Sequence, residues 1–185
     1  MIEDKNVIDY ASSEYRNDFL DIFISAHCYF WISSGSGLDS LNYLFKKPIL
    51  YTNRAPIGYT MSNKYSFSIT KHYYDLKDKK RLSLNEIYQK SLHLNINSDI
   101  LKNKGVELID NTSEEILEAT KEFYNYVEGK FDYENERNIL NNQIKNTIKY
   151  DEKEFLDIND KPIKNFKNHP NLCYSFLIKN KYLLN

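Results

Sequence analysis

The chain has few of the residues on which small disulfide-rich or metal-binding domains depend. Its 185 residues include only two cysteines, Cys28 and Cys173, which lie far apart and among apolar neighbours. This count excludes a disulfide framework and predicts two buried free thiols in a reducing compartment. The histidines and acidic residues show no HxxxH, CxxC or acidic-cluster spacing. The sequence therefore predicts no metal site.

The chain also lacks long apolar runs and a large excess of positive or negative charge. No run reaches the roughly 18 apolar residues that a membrane-spanning helix needs. The first ten residues, MIEDKNVIDY, lack the basic and apolar regions of a signal peptide. The net charge is −1, so nothing draws the whole chain to nucleic acid. We expect a cytoplasmic protein, either free or peripheral at the inner face of the membrane, with no transmembrane segment.

Glycine is scarce too, yet two of the five glycines fall within nine residues, ISSGSGLDS at 32–40. The preceding run, CYFWIS, is apolar throughout and is typical of a strand buried on both faces. The following leucines have helical spacing, and Pro48 then leads into a second apolar strand, PILYTN. A dense apolar pattern before CYFWIS predicts a mostly buried helix at residues 18–26. Residues 18–53 thus predict helix, strand, helix and strand, the pattern of a parallel sheet with helices on its faces.

The rest of the chain predicts further elements of both kinds. Thr112 and Glu115 have capping-box spacing at the start of a long helix that should end at Gly129. The other predictions are a strand or extended segment at 6–10, one strand at 66–74, a helix from Ser83, a strand at 106–109, a polar helix at 132–149 and an apolar docking tail at 173–184. The fold class predicted is α/β. A Rossmann-like parallel sheet flanked by helices takes residues 1–130, and a helical C-terminal extension, residues 131–185, packs on it.

The serine–glycine turn is the main candidate for chemistry. A glycine-rich turn between a strand and a helix exposes backbone amides, and the helix N-terminus adds partial positive charge, a combination that suits a diphosphate. The pattern is neither GxGxxG nor a P-loop. The alternative is that any tight strand-to-helix turn favours glycine and a small cap. Asp39 would repel a phosphate placed too close to it, whereas Asp39 or Ser40 could contact a ribose or sugar hydroxyl.

A second loop, beginning with Asn53 and Arg54, follows the next predicted strand. Ligands of open α/β sheets lie at the carboxyl ends of the strands, so both loops should share one edge. Arg54 could bind a phosphate with two parallel hydrogen bonds, or it could be a solvated loop arginine. His72 could be a general base if it lies at this edge, or an ordinary strand histidine. The hypothesis requires the serine–glycine turn to be exposed and at the carboxyl edge.

Residues 6–58, NVIDYASSEYRNDFLDIFISAHCYFWISSGSGLDSLNYLFKKPILYTNRAPIG, resemble a family of bacterial glycosyltransferases associated with surface-polysaccharide gene clusters. The most specific piece is SSGSGLDSLNYLFKKPILYTN. The later NTSEEILEAT and SFLIKNKYLL resemble the closing helix and tail of the same family, whereas KHYYD to NINSD matches loosely. The resemblance covers about residues 6–185.

The family resembles the C-terminal half of GT-B enzymes and is similar to the nucleotide-sugar 2-epimerases of the same architecture. The resemblance implies a nucleotide-sugar donor, a glycan acceptor, and no metal or other cofactor. It also implies which residues bind the donor. The diphosphate turn would be Ser33, Ser34, Gly35, Ser36 and Gly37, with Asp39, Ser40 and Asn53 on the cleft side. GT-B enzymes have an N-terminal domain as well, so we expect a truncated product or a partner chain that supplies the missing half.

The resulting hypothesis is the donor-binding half of a glycosyltransferase of surface polysaccharide or glycan synthesis, incomplete as a lone chain. Its catalytic base is not identified and is expected outside the chain. One alternative is a nucleotide-sugar 2-epimerase-like isomerase, which needs carboxylates and a histidine facing the sugar. Another is a non-catalytic remnant that only binds nucleotide.

Overall fold

A three-stranded parallel sheet flanked by helices organises the chain, which is therefore an α/β protein. The computed structural model describes residues 4–59, 65–95, 97–147 and 171–185. The strands are β1 (Trp31–Ser33), β2 (Ile49–Arg54), β3 (Ser66–Thr70), β4 (His72–Asp75), β5 (Lys80–Arg81) and β6 (Val106–Ile109). The helices are α1 (Asp18–His27), α2 (Asp39–Leu44), α3 (Leu84–Gln89), α4 (Ser98–Asn103), α5 (Ser113–Val127), α6 (Glu134–Thr147) and α7 (Tyr174–Lys179). Two 3₁₀ helices cover Ile57–Tyr59 and Lys181–Leu184.

The parallel sheet has the order β1-β2-β3, and β2 lies at its centre. Trp31 pairs with Ile49, and Ile49 pairs with Ser66. The predicted order of helix, strand, helix and strand at residues 18–53 is confirmed. Parallel strands need a crossover on one face, and α2 supplies the one between β1 and β2.

The predicted single strand at residues 66–74 is wrong, because the chain forms two strands there. β3 ends the parallel sheet, and β4 pairs antiparallel with β5 and β6 in a second sheet. At the junction the Thr70 carbonyl accepts a hydrogen bond from the Asn111 side chain, and the Lys71 amide donates to the Arg54 carbonyl. Residues 66–74 contain no glycine or proline, and their alternation of polar and apolar residues continues across the junction. The sequence pattern therefore gives no sign that one strand ends and another begins there.

The expectation of a buried α1 is also wrong. Phe19 is 71% exposed, and Ile22 and Phe23 are each nearly half exposed. Ser25 is the buried residue of this helix. β1 is an edge strand whose Ile32 is 44% exposed, and residues 6–10 form no strand. Nothing in the described ranges covers the outer face of α1, so its apolar side chains face solvent.

The core lies between the parallel sheet, α5 and the C-terminal segment. Phe123 of α5 packs against Phe67 of β3, with ring centroids 5.3 Å apart. The Arg137 guanidinium lies 4.0 Å from the centroid of the Phe67 ring. Leu172 bridges to Ser68 of β3, and Cys173 is fully buried as a free thiol. The predicted docking of the tail is confirmed, since this segment continues the hydrogen bonding along β3.

Asp75 makes folding stability depend on pH. Its carboxylate accepts hydrogen bonds from Lys90 at 2.7 Å and from the Lys77 and Asp78 amides at 3.0 Å. The Lys90 ammonium, followed by these amides, lowers the pKa of Asp75 to about 2. A lowered pKa stabilises the fold above the unfolded value of about 3.9, and this stabilisation is lost as pH falls toward 2.

We therefore expect the free energy of unfolding to decline between about pH 4 and pH 2 more steeply in the wild type than in Asp75→Asn. Urea titrations at several pH values measure both slopes. Equal slopes would show that Asp75 is not the group responsible.

Candidate functional site

The carboxyl edge of the parallel sheet brings the two predicted loops together. Residues 34–38 follow β1 at this edge and are exposed, and Arg54 ends the neighbouring strand β2. The N-terminus of α5 is tied to the same edge through Asn111. The turn thus meets both structural conditions of the sequence hypothesis, exposure and position at the carboxyl ends.

Side chains from the turn itself hold its conformation. The Ser33 hydroxyl accepts a hydrogen bond from the Gly35 amide at 2.9 Å. Asp39 turns back from α2 and accepts from the Ser36 amide at 2.9 Å and from the Trp31 indole at 3.1 Å. Two of the amides that the sequence offered to a phosphate therefore already have acceptors. Asp39 is only 8% exposed, and its hydrogen bonds stabilise the conformation of the turn.

Other hydrogen-bond donors of the turn are available to a ligand. Among the described residues, none accepts a hydrogen bond from the amides of Gly37 or Leu38. Leu38 is the N-cap of α2 and makes no side-chain capping bond. Ser34 and Ser40 are exposed, so their hydroxyls are accessible. A ligand at this edge would meet these four groups rather than the amides of Gly35 and Ser36.

Arg54 lies directly against the turn. Gly35 has a φ of +103°, and a Cβ added there would overlap the Arg54 guanidinium. The same guanidinium lies 5.3 Å from the centroid of the Tyr51 ring. Glycine at position 35 thus allows both the left-handed backbone and the close approach of a cation. The arginine is a partner of the turn and not a remote loop residue.

Asn53 has a structural partner that sequence analysis missed. Its amide donates to the Asn111 side-chain oxygen at 2.7 Å, and the Asn111 amide donates to the Asn53 side-chain oxygen at 2.6 Å. The Asn111 side-chain amide also donates to the Thr70 carbonyl at 2.8 Å. Asn53 takes the left-handed conformation, with a φ of +51°. Its side chain joins β2 to the start of α5 and is directed at Asn111.

The charges around the turn are of both signs. Arg54 lies close to the turn, and Lys71, in the chain after β3, is paired with Asp110 at 2.5 Å. Burial raises the pKa of Tyr51, and the nearby Asp39 carboxylate raises it further. Asp39 lies within the turn, where it contacts Ser36, so an anionic ligand would have to avoid its carboxylate.

His72 lies just beyond β3 but is buried, with 1% exposure. One ring nitrogen is 2.6 Å from the Tyr182 hydroxyl, and the other is 3.1 Å from a Glu115 oxygen. Burial alone would raise the pKa of Glu115, but hydrogen bonds from Thr112, Asn180 and His72 outweigh it and the pKa is lowered. Both nitrogens are engaged inside the protein, so this histidine does not face a ligand at the edge.

Gly35→Ala is expected to lower the free energy of unfolding by about 1–2 kcal/mol, because an L-residue is strained at this positive φ. Gly37→Ala is the matched control, since a Cβ there meets no atom within 4 Å. Chemical denaturation of both variants measures the difference. Equal stability of the two variants would contradict the described turn.

No group of three or more histidine, cysteine or acidic side chains within the described ranges is placed to hold a metal ion. No helix among these residues is long and apolar enough to cross a membrane. Comparisons of the chain with protein-family models, with curated proteins and with solved structures gave no match.

Proposed function

We propose that the turn at residues 33–37, which is exposed from Ser34 onward, binds the diphosphate of a nucleotide-sugar together with Arg54. The chain would then be the donor-binding, C-terminal half of a GT-B-like glycosyltransferase of surface polysaccharide or glycan synthesis. The main support for this proposal is that the Arg54 guanidinium packs against Gly35 of the serine-rich turn, at the carboxyl edge of the sheet. An arginine fork matches two phosphate oxygens in geometry as well as charge.

The reaction proposed is displacement at the anomeric carbon of the donor sugar. An acceptor hydroxyl attacks, the bond to the diphosphate breaks, and negative charge grows on the leaving nucleoside diphosphate. Arg54 and the open amides of Gly37 and Leu38 would stabilise that charge. A base must take the acceptor proton, and we propose that a partner chain or domain supplies it, because His72 is buried.

The remaining candidates of the turn divide into two roles. Ser33 and Asp39 hold the loop through hydrogen bonds to its amides. Ser34, Ser36 and Ser40 offer hydroxyls to the donor, although the Ser36 hydroxyl also lies 3.3 Å from an Asp39 oxygen. Asn53 positions the end of β2 through Asn111 and does not contact the sugar.

The two alternative functions, an isomerase and a module that only binds nucleotide, require different residues at this edge of the sheet. A 2-epimerase-like isomerase needs carboxylates and a histidine facing the sugar, whereas the two ring nitrogens of His72 contact Tyr182 and Glu115 inside the protein. A module that only binds nucleotide needs the turn and Arg54 alone. Turnover assays of the chain mixed with candidate acceptor domains separate such a module from a glycosyltransferase.

The proposal is tested by the melting temperature of the purified chain with millimolar UDP, GDP or CMP. A ligand that binds only the folded state must raise the melting temperature. We expect one nucleotide to do so for the wild type, and the shift to shrink in Ser34→Ala/Ser36→Ala. The exposed Ser12→Ala is the control and should keep the shift. If none of the three nucleotides shifts the melting temperature, the proposed donor site is wrong.

A further inference from the structure

A depression lies along α5 from Glu118 toward the C-terminal end of the helix, whereas the N-terminus of α5 is tied to the edge that carries the serine–glycine turn. It has a volume of about 440 Å³ and is formed by α5, the 130–133 loop and α7. α5 has 15 residues, so the two ends of this helix are roughly 22 Å apart. A volume of this size is in the range of small-molecule sites and accommodates one or two sugar rings.

Two stacked tyrosines form one wall of the depression. The rings of Tyr133 and Tyr174 lie 5.2 Å apart with an interplanar angle of 9°. Tyr133 is 53% exposed although Tyr174 stacks on its ring, so much of this side chain is accessible to solvent. Phe131 packs edge-on against Tyr133 and also contacts Phe67 of the core, which supports the platform from behind. An exposed flat ring with rigid backing presents an apolar surface to a ligand.

A buried carboxylate fixes the position of this platform. Glu122 is 7% exposed, and its two oxygens accept hydrogen bonds from the amides of Tyr174 and Ser175, each at 2.7 Å. The start of α7, and with it the Tyr174 ring, is therefore tied to α5. The platform is organised before any ligand arrives, which reduces the entropy lost on binding.

The polar groups around the tyrosines are mixed in sign and nearly balanced. Lys121 is paired with Glu118 and Lys130 with Glu128, each at 3.0 Å. Asn125 is exposed, and its side-chain amide has no hydrogen-bond partner among the residues that the structure describes. The Asp132 carboxylate also lines the depression, so this rim does not select an anion, but it offers both donors and acceptors to hydroxyl groups.

From this combination we propose that the depression is a saccharide-binding site. The C–H face of a sugar ring would stack on Tyr133, while Asn125 and the paired rim would exchange hydrogen bonds with its hydroxyls. The site lies toward the C-terminal end of α5, away from the edge that carries the proposed donor turn. It would anchor a glycan chain and would not place the reacting hydroxyl, and it stands on the depression alone, whether or not the turn binds a nucleotide.

Amide-resolved NMR titrations with cellobiose, maltose and di-N-acetylchitobiose test this inference on the whole chain. We expect at least one disaccharide to bind with a dissociation constant on the order of millimolar and to shift the amides of Asn125, Lys130, Tyr133 and Ile178. Tyr133→Ala should weaken that binding about tenfold through loss of the platform. Tyr133→Phe keeps the ring and should bind within about twofold of the wild type.

Tyr15→Ala, which removes another largely exposed tyrosine, is the matched control and should bind like the wild type. Melting temperatures check that each variant folds, and Asn125→Ala replaces Tyr133→Ala if the latter does not. The inference is overturned if no disaccharide shifts these amides or if Tyr133→Ala binds as well as the wild type. Shifts confined to the serine–glycine turn would overturn it too, without affecting the proposed nucleotide site.

Discussion

Asn111→Ala is expected to lower the free energy of unfolding by about 2–4 kcal/mol, a large share of the stability of an ordinary domain. The side chain is 8% exposed and bonds two backbone groups, the Asn53 amide and the Thr70 carbonyl. Alanine would remove the partner of the half-buried Asn53 amide and of the buried Thr70 carbonyl, which costs more than the net value of either bond. Urea denaturation of the variant measures the loss.

A double-mutant cycle shows whether the loss of stability in Asn111→Ala depends on the contact between Asn111 and Asn53. Asn53→Ala also removes an acceptor from Asn111, and it strains a backbone that has positive φ. Each side chain accepts a hydrogen bond from the backbone amide of the other residue. Loss of either side chain therefore loosens the contact that aligns the remaining bond, and the double variant should lose less stability than the sum of the single variants. Strict additivity would mean that Asn53 and Asn111 act independently, against the geometry described above.

On the proposed function, Arg54→Ala should weaken binding of a nucleoside diphosphate by about 10- to 100-fold. This range corresponds to the loss of charge-assisted hydrogen bonds worth about 1.5–3 kcal/mol. Arg54→Lys keeps the charge but loses the planar fork and the contact with Tyr51, so it should recover only part of the affinity. Isothermal titration calorimetry measures all three proteins.

Lys102→Ala is the matched control for Arg54→Ala, because it removes one positive charge from the exposed surface of α4. It should bind nucleotide as the wild type does at moderate salt, where distant charges are screened. Equal losses in Lys102→Ala and Arg54→Ala would show that net charge, and not the site, governs binding.

The parts of the fold that the sequence predicted correctly are those set by local patterns. The predicted capping box at Thr112 is present, because it needs only bonds between residues three apart, and the helix predicted from Ser83 also begins with such a box. The turn after β1 was recognisable because glycine, serine and flanking apolar runs occur within a few residues. The common edge of the two loops followed from the handedness and order of parallel strands.

The parts that were missed depend on contacts between distant residues. Asn53 and Asn111 are 58 residues apart, and His72 and Tyr182 are 110 apart. No periodicity or spacing rule connects side chains over such distances. The burial of α1 could not be predicted for a similar reason. Its sequence shows that the residues are apolar but not whether another element covers them. Asp39 was expected to contact a ribose or sugar hydroxyl, and its bond to Trp31 depends on the folded turn.

An amide-resolved NMR titration of the chain with UDP and with GDP, repeated on Arg54→Ala, would locate the proposed diphosphate site. We expect one nucleotide to shift the amides of Ser34, Gly37, Leu38 and Arg54, and these shifts to disappear largely in the variant. Shifts that lie elsewhere, or that persist unchanged in Arg54→Ala, would contradict a diphosphate site at the serine–glycine turn.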